Sequence, residues 1–308
     1  MSKSSYYFRD SCRMCGSKLL TEVVSLTPTP PGNHFLAKKD LGKEEQVYPL
    51  DLYFCENCHH LQLGHSVNPE ILYQKNYTYV SATSPNFVQH LKNYADEMIK
   101  YFDLKPEMLV SDIGSNDGTC LSFFQSKGMK VVGIDPAKEI AYKATNNGVE
   151  TIGDFFSYKL SVELREKYGP AHFITSHNAC AHIDNLLDIV KGVEYWLDED
   201  GIFVLEVGYF VDVFNNTWFD TIYHEHVDYH TVAPFEKLFA QVDMEVICVE
   251  RVSPQGGSIR LMTKKKGGKF PRDNSVDKLI ALENKIGLNK SETLIDFECK
   301  INYVKEDL

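Results

Sequence analysis

The chain has 308 residues, of which 43% are hydrophobic and 24% charged, and its formal net charge at pH 7 is −11. This composition is typical of a globular protein with room for about two domains, and it excludes disordered, collagen-like and coiled-coil chains. The negative charge disfavours general binding to nucleic acid or anionic lipid, because a grip on phosphates requires excess basic side chains. Since the sequence shows neither a long apolar run nor a secretory leader, we expect a cytoplasmic protein with no membrane partner.

Two Cys-x-x-Cys pairs stand near the N-terminus, Cys12 with Cys15 and Cys55 with Cys58. Structural disulfides are rare in a reducing compartment, and the two-residue spacing lets one tight turn aim both sulfurs at the same ion. The pattern predicts a four-thiolate Zn²⁺ site in a small β-module. Because a shell of four thiolates has no open position, the metal is expected to be structural. Redox-active or unliganded thiols are the alternative.

Strand and helix patterns alternate in the middle of the chain. A helix is expected over 85–103, buried strands over 108–114, 130–135, 149–152, 171–176 and 201–207, and helices from Pro136, over 157–168 and over 184–197. This order indicates a mostly parallel, doubly wound α/β sheet. A helix near 233–242 and strands over 244–251 and 257–263 are expected to form an antiparallel addition at one edge.

The turn at 112–119, Asp-Ile-Gly-Ser-Asn-Asp-Gly-Thr, follows the first strand of this sheet. Gly114 permits a sharp turn, and Gly118 is expected to bring the helix start close to a ligand. Asp135 ends the second strand, about 20 residues further on, where a carboxylate binds the hydroxyls of an adenosine ribose. The middle glycine that a pyrophosphate requires is absent, and Asp117 would repel a pyrophosphate. These features favour S-adenosylmethionine over a dinucleotide, with a loop that binds nothing as the third possibility.

Further positions of the cofactor site are expected after the third and fourth strands, at 153–156 and 176–185, because ligands lie at the carboxyl edge of such sheets. The phenylalanines there could instead be core residues, and His182 a helix-start side chain. The predicted cofactor-binding residues are Gly114, Ser115, Asn116, Asp117, Asp135, Pro136, Asp154, Phe155, Phe156, Asn178 and His182.

The segment 219–230, Phe-Asp-Thr-Ile-Tyr-His-Glu-His-Val-Asp-Tyr-His, concentrates acid–base side chains. Each of them would need a polar partner in a core, so this density favours a cleft. In an extended segment His224 and His226 would share one face and Tyr223 and Glu225 the other, whereas in a loop all four would converge. A metal site and a solvated loop are the alternatives.

Two smaller features complete the candidates. Tyr77 and Tyr79 alternate onto one face and are expected to reach a cleft between the two domains, with interface packing as the alternative. Arg260 ends a Gly-rich turn and could meet a phosphate, although a hairpin turn explains the glycines equally well.

These motifs, in this order, resemble those of the S-adenosylmethionine-dependent nucleotide-sugar C-methyltransferases, a family that includes the C-3 methyltransferase of tetronitrose biosynthesis. The resemblance runs from Cys12 to about Leu308. Its carriers are the two cysteine pairs with His60, Gln62 and Leu63, the stretch 73–84, the turn 112–119, Gly-Ile-Asp-Pro-Ala, Phe-Asp-Thr-Ile-Tyr-His-Glu-His and Glu-Arg-Val-Ser-Pro-Gln-Gly-Gly-Ser-Ile-Arg. It implies a class I methyltransferase fold, α/β with a Rossmann-like sheet, behind a small N-terminal zinc-binding β-module.

The resemblance also implies an activity: methyl transfer to a carbon, C-3, of a nucleoside-diphosphate 4-keto-deoxysugar through an enolate, with structural zinc in the four-cysteine site. The catalytic residues it implies are Tyr77, Tyr79, Tyr223, His224, Glu225 and His226, with His226 as the general base. The alternatives are an O- or N-methyltransferase of a small molecule, a zinc-ribbon module that binds nucleic acid or protein, and a truncated, inactive cofactor-binding protein.

The domain boundaries follow from the same resemblance. We expect a zinc-binding module over 1–72, a cofactor-binding methyltransferase domain over 73–270 and a helical linker over 271–308. Members of the family continue into a third, Rossmann-like domain that helps to hold the nucleotide, and this domain is expected to be missing here. The chain is then a fragment, or a separate chain supplies the missing part.

Overall fold

The computed structural model describes residues 5–32, 36, 38–74 and 80–307, with the backbone alone at 73 and 74. The N-terminal part is a β-module in which β1 (Tyr6–Phe8) pairs with β5 (His65–Val67), while β2 (Leu20–Thr29), β3 (Tyr48–Cys55) and β4 (Leu61–Leu63) form an antiparallel sheet. Side chains of β3 alternate between buried and half-buried, the period of a sheet that covers a core with one face. The predicted β-module thus fills the segment between the cysteine pairs.

The larger domain alternates helices and strands. Its elements are α1 (Pro85–Tyr101), β6 (Leu109–Ile113), α2 (Thr119–Gln125), β7 (Lys130–Ile134), α3 (Lys138–Asn146), β8 (Thr151–Ile152), α4 (Tyr158–Tyr168), β9 (Ala171–His177), α5 (Leu186–Trp196), β10 (Leu197–Gly208), α6 (Phe210–Asn216), β11 (Asp228–Tyr229), α7 (Val232–Phe239), β12 (Met244–Val252), β13 (Ser258–Lys265), α8 (Ser275–Ile286) and α9 (Ser291–Asp307). The predicted helix at 85–103 and the predicted strands all have counterparts in this series.

Seven of these strands form one sheet in the order β12-β13-β10-β9-β6-β7-β8. Strands β8, β7, β6, β9 and β10 run parallel, and β13 is antiparallel to both of its neighbours. Every residue of β6 is buried, as expected for a central parallel strand covered by helices on both faces. The mostly parallel sheet with an antiparallel addition at one edge is therefore confirmed.

One local expectation differs from the structure, and one strand pairing was not predicted. Helix α3 begins at Lys138 rather than at Pro136, because the Asp135 carboxylate accepts a hydrogen bond from the Ala137 amide and holds the turn open for two residues. Strand β11, in the acid–base segment, pairs with β4 and so joins the sheet of the N-terminal module, in the order β11-β4-β3-β2.

The last two helices pack onto the rest of the chain. Glu283 of α8 accepts hydrogen bonds from the Val232 amide at 2.7 Å and from the Tyr209 hydroxyl at 2.9 Å, which caps the start of α7. Helix α9 buries Leu294, Phe297 and Ile301. Among the described residues, no helix has the length and apolarity needed to cross a membrane.

Candidate active site

The four N-terminal cysteines lie together at the ends of two turns. Their sulfurs are all within 4.8 Å of one another, with Cys12 Sγ 3.5 Å from Cys58 Sγ and Cys15 Sγ 3.6 Å from Cys55 Sγ. A tetrahedral ion with Zn–S bonds of about 2.3 Å places its sulfurs about 3.8 Å apart, so the cluster fits Zn²⁺. Asn57 Nδ2 donates to Cys15 Sγ at 3.4 Å, a hydrogen bond that supports a thiolate. Four thiolates leave no open position, and the zinc is structural.

A cleft of about 470 Å³ lies at the carboxyl edge of the large sheet and reaches the acid–base segment. Of the residues predicted for the cofactor, those that line this cleft are Gly114, Ser115, Asn116, Asp135, Pro136, Phe155, Phe156, Asn178 and His182. Of those predicted for catalysis, Tyr223, Glu225 and His226 line it. The structure therefore brings most of both groups to one site.

The turn after β6 contains two glycines, and the structure gives the predicted reason for the first of them, Gly114. Gly114 has a φ of +80°, and a Cβ there would lie 2.6 Å from the Ala179 Cβ, so only glycine fits at this edge of the cleft. Gly118 has a different reason from the one expected. Its φ is +79°, and a Cβ there would lie 2.9 Å from Val149, so this glycine allows the start of α2 to pack against the residues before β8 rather than to approach a ligand.

Asp135 stands at the end of β7 on the cleft wall. Its carboxylate accepts hydrogen bonds from the Asn116 and Ala137 amides, each at 2.8 Å, which fixes its orientation. Burial raises the pKa of Asp135, and these two amides oppose that rise. A carboxylate has about four lone-pair positions, so two remain for the hydroxyls of a ribose.

Replacing Asp135 with asparagine tests this role. We expect Asp135→Asn to weaken S-adenosylmethionine binding by about 10- to 100-fold, because hydrogen bonds to a charged group contribute about 1.5–3 kcal/mol. Isothermal titration calorimetry measures the effect. Glu139→Gln, an exposed acid in the first turn of α3, is the matched control and should bind normally. Unchanged affinity in Asp135→Asn would contradict the assignment.

Three described residues of the predicted site lie outside the cleft wall. Asp117 is engaged locally, since its carboxylate accepts hydrogen bonds from the Thr119 hydroxyl at 2.7 Å and the Ala82 amide at 3.0 Å. Asp154 is exposed and accepts from the amide of the next residue. His224 is buried and donates from Nε2 to the Tyr48 carbonyl at 3.2 Å. Tyr77 and Tyr79 fall outside the described residues.

Among the residues of the cleft wall that were not identified from the sequence are Asp112 and His177. Among the described residues, Asp112 Oδ1 and both ring nitrogens of His177 have no hydrogen-bond partner. Burial lowers the pKa of His177 to about 4, so its imidazole is neutral at pH 7. Burial, together with Asp135, raises the pKa of Asp112, and a cation bound beside it would favour its charged form. An unpartnered Asp112 oxygen and a neutral imidazole are acceptors for the cationic end of S-adenosylmethionine, and the cleft therefore fits this cofactor. Asp112 lies near the end of a buried strand, and that position at the sheet edge was the available signal.

His226 has the geometry of a base with a defined tautomer. Its Nδ1 lies 3.0 Å from the Thr221 carbonyl, which can only accept, so Nδ1 carries the proton. Nε2 is then an acceptor, and it receives the Tyr223 hydroxyl at 3.0 Å. Burial, together with nearby His182, lowers the pKa of His226 to about 3 and keeps the ring neutral. Burial and the Glu225 charge raise the pKa of Tyr223, which therefore stays a donor.

His182 lies beside His226. The two imidazole rings are 5.0 Å apart, and His182 Nδ1 donates to the Glu225 carbonyl at 2.7 Å. The segment is a loop at this point, with the His226 amide bonded to the Tyr223 carbonyl at 2.9 Å. Three of its four acid–base residues converge on the cleft, as expected for a loop, and His224 does not.

Arg260 is not placed to meet a phosphate. It is 3% exposed, and its guanidinium binds Glu206 at 2.6 Å, Glu97 at 3.0 Å and Glu250 at 3.2 Å. Burying an arginine requires such partners, because a lone charge would be too costly to desolvate. The hairpin-turn interpretation of the preceding glycines is the correct one.

Three family models match the chain. Residues 12–73 match a putative zinc binding domain, residues 87–249 a methyltransferase domain and residues 253–308 a C-methyltransferase C-terminal domain. The C-methyltransferase NovU of Streptomyces niveus is 32% identical over 279 residues, which make up 91% of this chain and 66% of that protein. The chain thus spans slightly less than two thirds of the length of this relative.

Solved structures resemble the larger domain. A SAM-dependent methyltransferase from Anabaena variabilis has a TM-score of 0.46 at 15% identity and covers 57% of this chain and 84% of its own. The magnesium protoporphyrin IX methyltransferase of Synechocystis, solved with bound SAH, has a TM-score of 0.44 at 12% identity and covers 58% and 83%.

These matches settle several predictions. The zinc-binding module and S-adenosylmethionine as the cofactor are confirmed. The prediction of a missing C-terminal domain is wrong, because residues 253–308 match the model of that domain, and no separate chain has to supply it. The methyltransferase model covers more than half of the chain. The chain therefore belongs to the methyltransferase family, with a zinc-binding module in front of the catalytic domain and C-methyltransferase C-terminal sequence behind it.

Proposed function

We propose that the chain transfers a methyl group from S-adenosylmethionine to C-3 of a nucleoside-diphosphate 4-keto-deoxysugar. The observation that supports this most is the acceptor nitrogen of His226, which lines the same cleft as the cofactor residues. Two comparisons support carbon as the methylated atom: the C-terminal domain model and the relative, both described as C-methyltransferase. The sugar and its nucleotide rest on the resemblance of the motifs.

The chemistry needs a base, because a C–H bond next to a ketone must be broken before carbon can attack. In the proposed reaction His226 Nε2 takes the C-3 proton, and the electron pair of that bond spreads onto the 4-keto oxygen as an enolate. S-adenosylmethionine, when bound, supplies the sulfonium methyl group that the carbon takes. Positioning the two reactants about 3–3.5 Å apart is the remaining contribution of the cleft.

A neutral imidazole with a lowered pKa is a weak base, so proton removal depends on stabilising the enolate. Hydrogen-bond donors aimed at the developing oxyanion often contribute more to such catalysis than any other group. We assign this role to Tyr223, whose hydroxyl stays protonated and lies 3.0 Å from His226 Nε2. In the proposed reaction the bound sugar takes this hydrogen bond over: the hydroxyl turns from Nε2 to the 4-keto oxygen, which frees Nε2 to accept the C-3 proton. Glu225, buried on the cleft wall, is proposed to hold the sugar.

The alternative is methylation of a sugar oxygen or nitrogen, which needs no ketone. Incubation with S-adenosylmethionine carrying a ¹³C-labelled methyl group separates the two reactions, because carbon-bound and oxygen-bound methyl groups have distinct ¹³C signals. We expect a carbon-bound methyl with the 4-keto sugar and no product after borohydride reduction of the ketone. Methylation of the reduced sugar would contradict carbon alkylation.

We also propose a cytoplasmic location, since four closely grouped thiolates need a reducing compartment. We also propose that the zinc module ends near residue 72. The nucleotide-sugar is the partner that the proposed reaction requires.

A further inference from the structure

The acid–base loop and the zinc module share one sheet. Strand β11, two residues after His226, pairs with β4, and the Leu63 amide donates to the Val227 carbonyl at 2.9 Å. Strand β4 begins three residues after Cys58. The segment that carries His226 is therefore hydrogen-bonded to the strand that follows the second pair of zinc-binding cysteines.

His182 is connected to the N-terminal module through the ion pairs and hydrogen bonds of Asp184. Asp184, two residues after His182, accepts hydrogen bonds from Arg13 Nε at 3.0 Å and from Ser66 Oγ at 2.8 Å. Its other oxygen binds Arg9 at 3.0 Å and the Tyr7 hydroxyl. All of these partners belong to the N-terminal module, so the loop after β9 is fixed from that side.

Arg13 is the buried member of this group. Its side chain is 0% exposed, and it stands between Cys12 and Cys15, the first zinc-binding pair. Besides Asp184 it binds the Leu63 carbonyl at 2.7 Å and Ser66 Oγ at 2.6 Å. Its own amide donates to Gln62 Oε1 at 2.8 Å. These hydrogen bonds leave the guanidinium a single orientation, and the turn between Cys12 and Cys15 fixes where the side chain starts.

The loop after β9 and the acid–base segment are also hydrogen-bonded to each other. The Val227 amide donates to the Ala181 carbonyl at 2.8 Å, and His182 donates to the Glu225 carbonyl at 2.7 Å. A shift of the loop after β9 would therefore move His182 and disturb the segment on which His226 stands.

We propose that Arg13 is a positioning residue, which through Asp184 fixes the loop of His182 against His226. The zinc site would thereby set the relative position of these two imidazoles. This inference rests on the proposed function for its effect on turnover, but not for its effect on the two imidazoles. Arg13 touches neither of the histidines, and its influence passes through Asp184 and the backbone.

The test compares Arg13→Gln and Asp184→Asn with Lys18→Gln, which removes an exposed charge from the same module; the Lys18 side chain is 76% exposed. We expect one zinc per chain in all three and normal affinity for S-adenosylmethionine in Lys18→Gln. In Arg13→Gln and Asp184→Asn the loss of affinity should be smaller than the loss of kcat, because only the cofactor residues of the loop after β9 would move. In Arg13→Gln and Asp184→Asn, kcat should fall by about 10- to 100-fold, because a small misplacement of reacting groups costs that much. The losses in the double variant should not add, since both act through one contact.

¹⁵N NMR of the imidazoles gives a measurement that needs no substrate. In the unaltered protein and in Lys18→Gln, His182 and His226 should each show one Nδ1-protonated form, whereas Arg13→Gln should shift or broaden both signals. If Arg13→Gln does not fold, Ser66→Ala, which removes one hydrogen bond to the same Asp184, provides the comparison. Unchanged imidazole signals, or a loss of zinc and cofactor binding together with kcat, would overturn the proposal. Absence of methylation by the unaltered protein, with the imidazole shifts present, would instead reject the proposed function.

Discussion

His226→Gln is expected to lower kcat by about 10²- to 10⁴-fold, the usual contribution of a general base. The reason is local: Nε2 is the only unprotonated nitrogen of this ring, and glutamine offers an amide in its place. Affinity for S-adenosylmethionine should be nearly unchanged, because the described contacts of His226 are with Thr221, Tyr223 and His182. Single-turnover kinetics and calorimetry measure the two quantities separately.

His172→Gln is the matched control for this substitution. His172 lies in β9 at the end remote from the cleft, where its Nδ1 accepts the Leu109 amide at 3.1 Å. It should keep normal turnover. An equal loss of kcat and cofactor affinity in His226→Gln would show that the residue is structural.

The pH dependence of kcat/KM adds an independent test. A base acts when it is deprotonated, and the pKa of His226 is lowered to about 3 by burial and by His182. Its activity is then fully present at about pH 5 and above and is lost only as pH falls towards that pKa. An acid limb at the ordinary histidine pKa of about 6.5 that disappears in His226→Gln would contradict a buried, neutral base.

Removal of the zinc is the second large effect. Structural Zn²⁺ contributes about 10–16 kcal/mol in zinc-finger peptides at pH 7, which exceeds the stability of most small domains. We therefore expect Cys55→Ser to unfold the N-terminal module and to lower turnover by on the order of 100-fold or more, because β11 loses its partner strand. The cofactor residues lie in the larger domain, so S-adenosylmethionine should still bind.

Metal analysis, circular dichroism and calorimetry check these three expectations. Cys299→Ser is the control, since Cys299 is exposed and outside the four-cysteine cluster. Normal turnover by a zinc-free Cys55→Ser protein would show that the module has no part in the reaction. Loss of cofactor binding would show instead that the whole chain depends on the metal.

The sequence predicted those features that depend on local patterns. Cysteine spacing, strand periodicity and the turn at 112–119 are encoded in neighbouring residues, and the zinc site and the α/β sheet followed from them. Asp135 at the end of a strand was predicted for the same reason, because strand ends of a parallel sheet meet at one edge.

Contacts between distant segments could not be predicted in this way. The pairing of β11 with β4 involves two residues of β11, which are too few to show an alternating hydrophobic pattern in the sequence. The His60–Asp228 hydrogen bond of 2.6 Å and the Arg13–Asp184 pair join residues whose proximity depends on the finished fold. Arg260 looked available in the sequence, and only the structure shows the three carboxylates around it.

Hydrogen exchange at the sugar carbon tests the central claim most directly, because it reports proton removal without methyl transfer. A nucleoside-diphosphate 4-keto-deoxysugar is incubated in D₂O with the protein and no S-adenosylmethionine, and deuterium at C-3 is followed by NMR. We predict uptake with the unaltered protein and with His172→Gln, and none above background with His226→Gln. Equal uptake with His226→Gln would contradict the account.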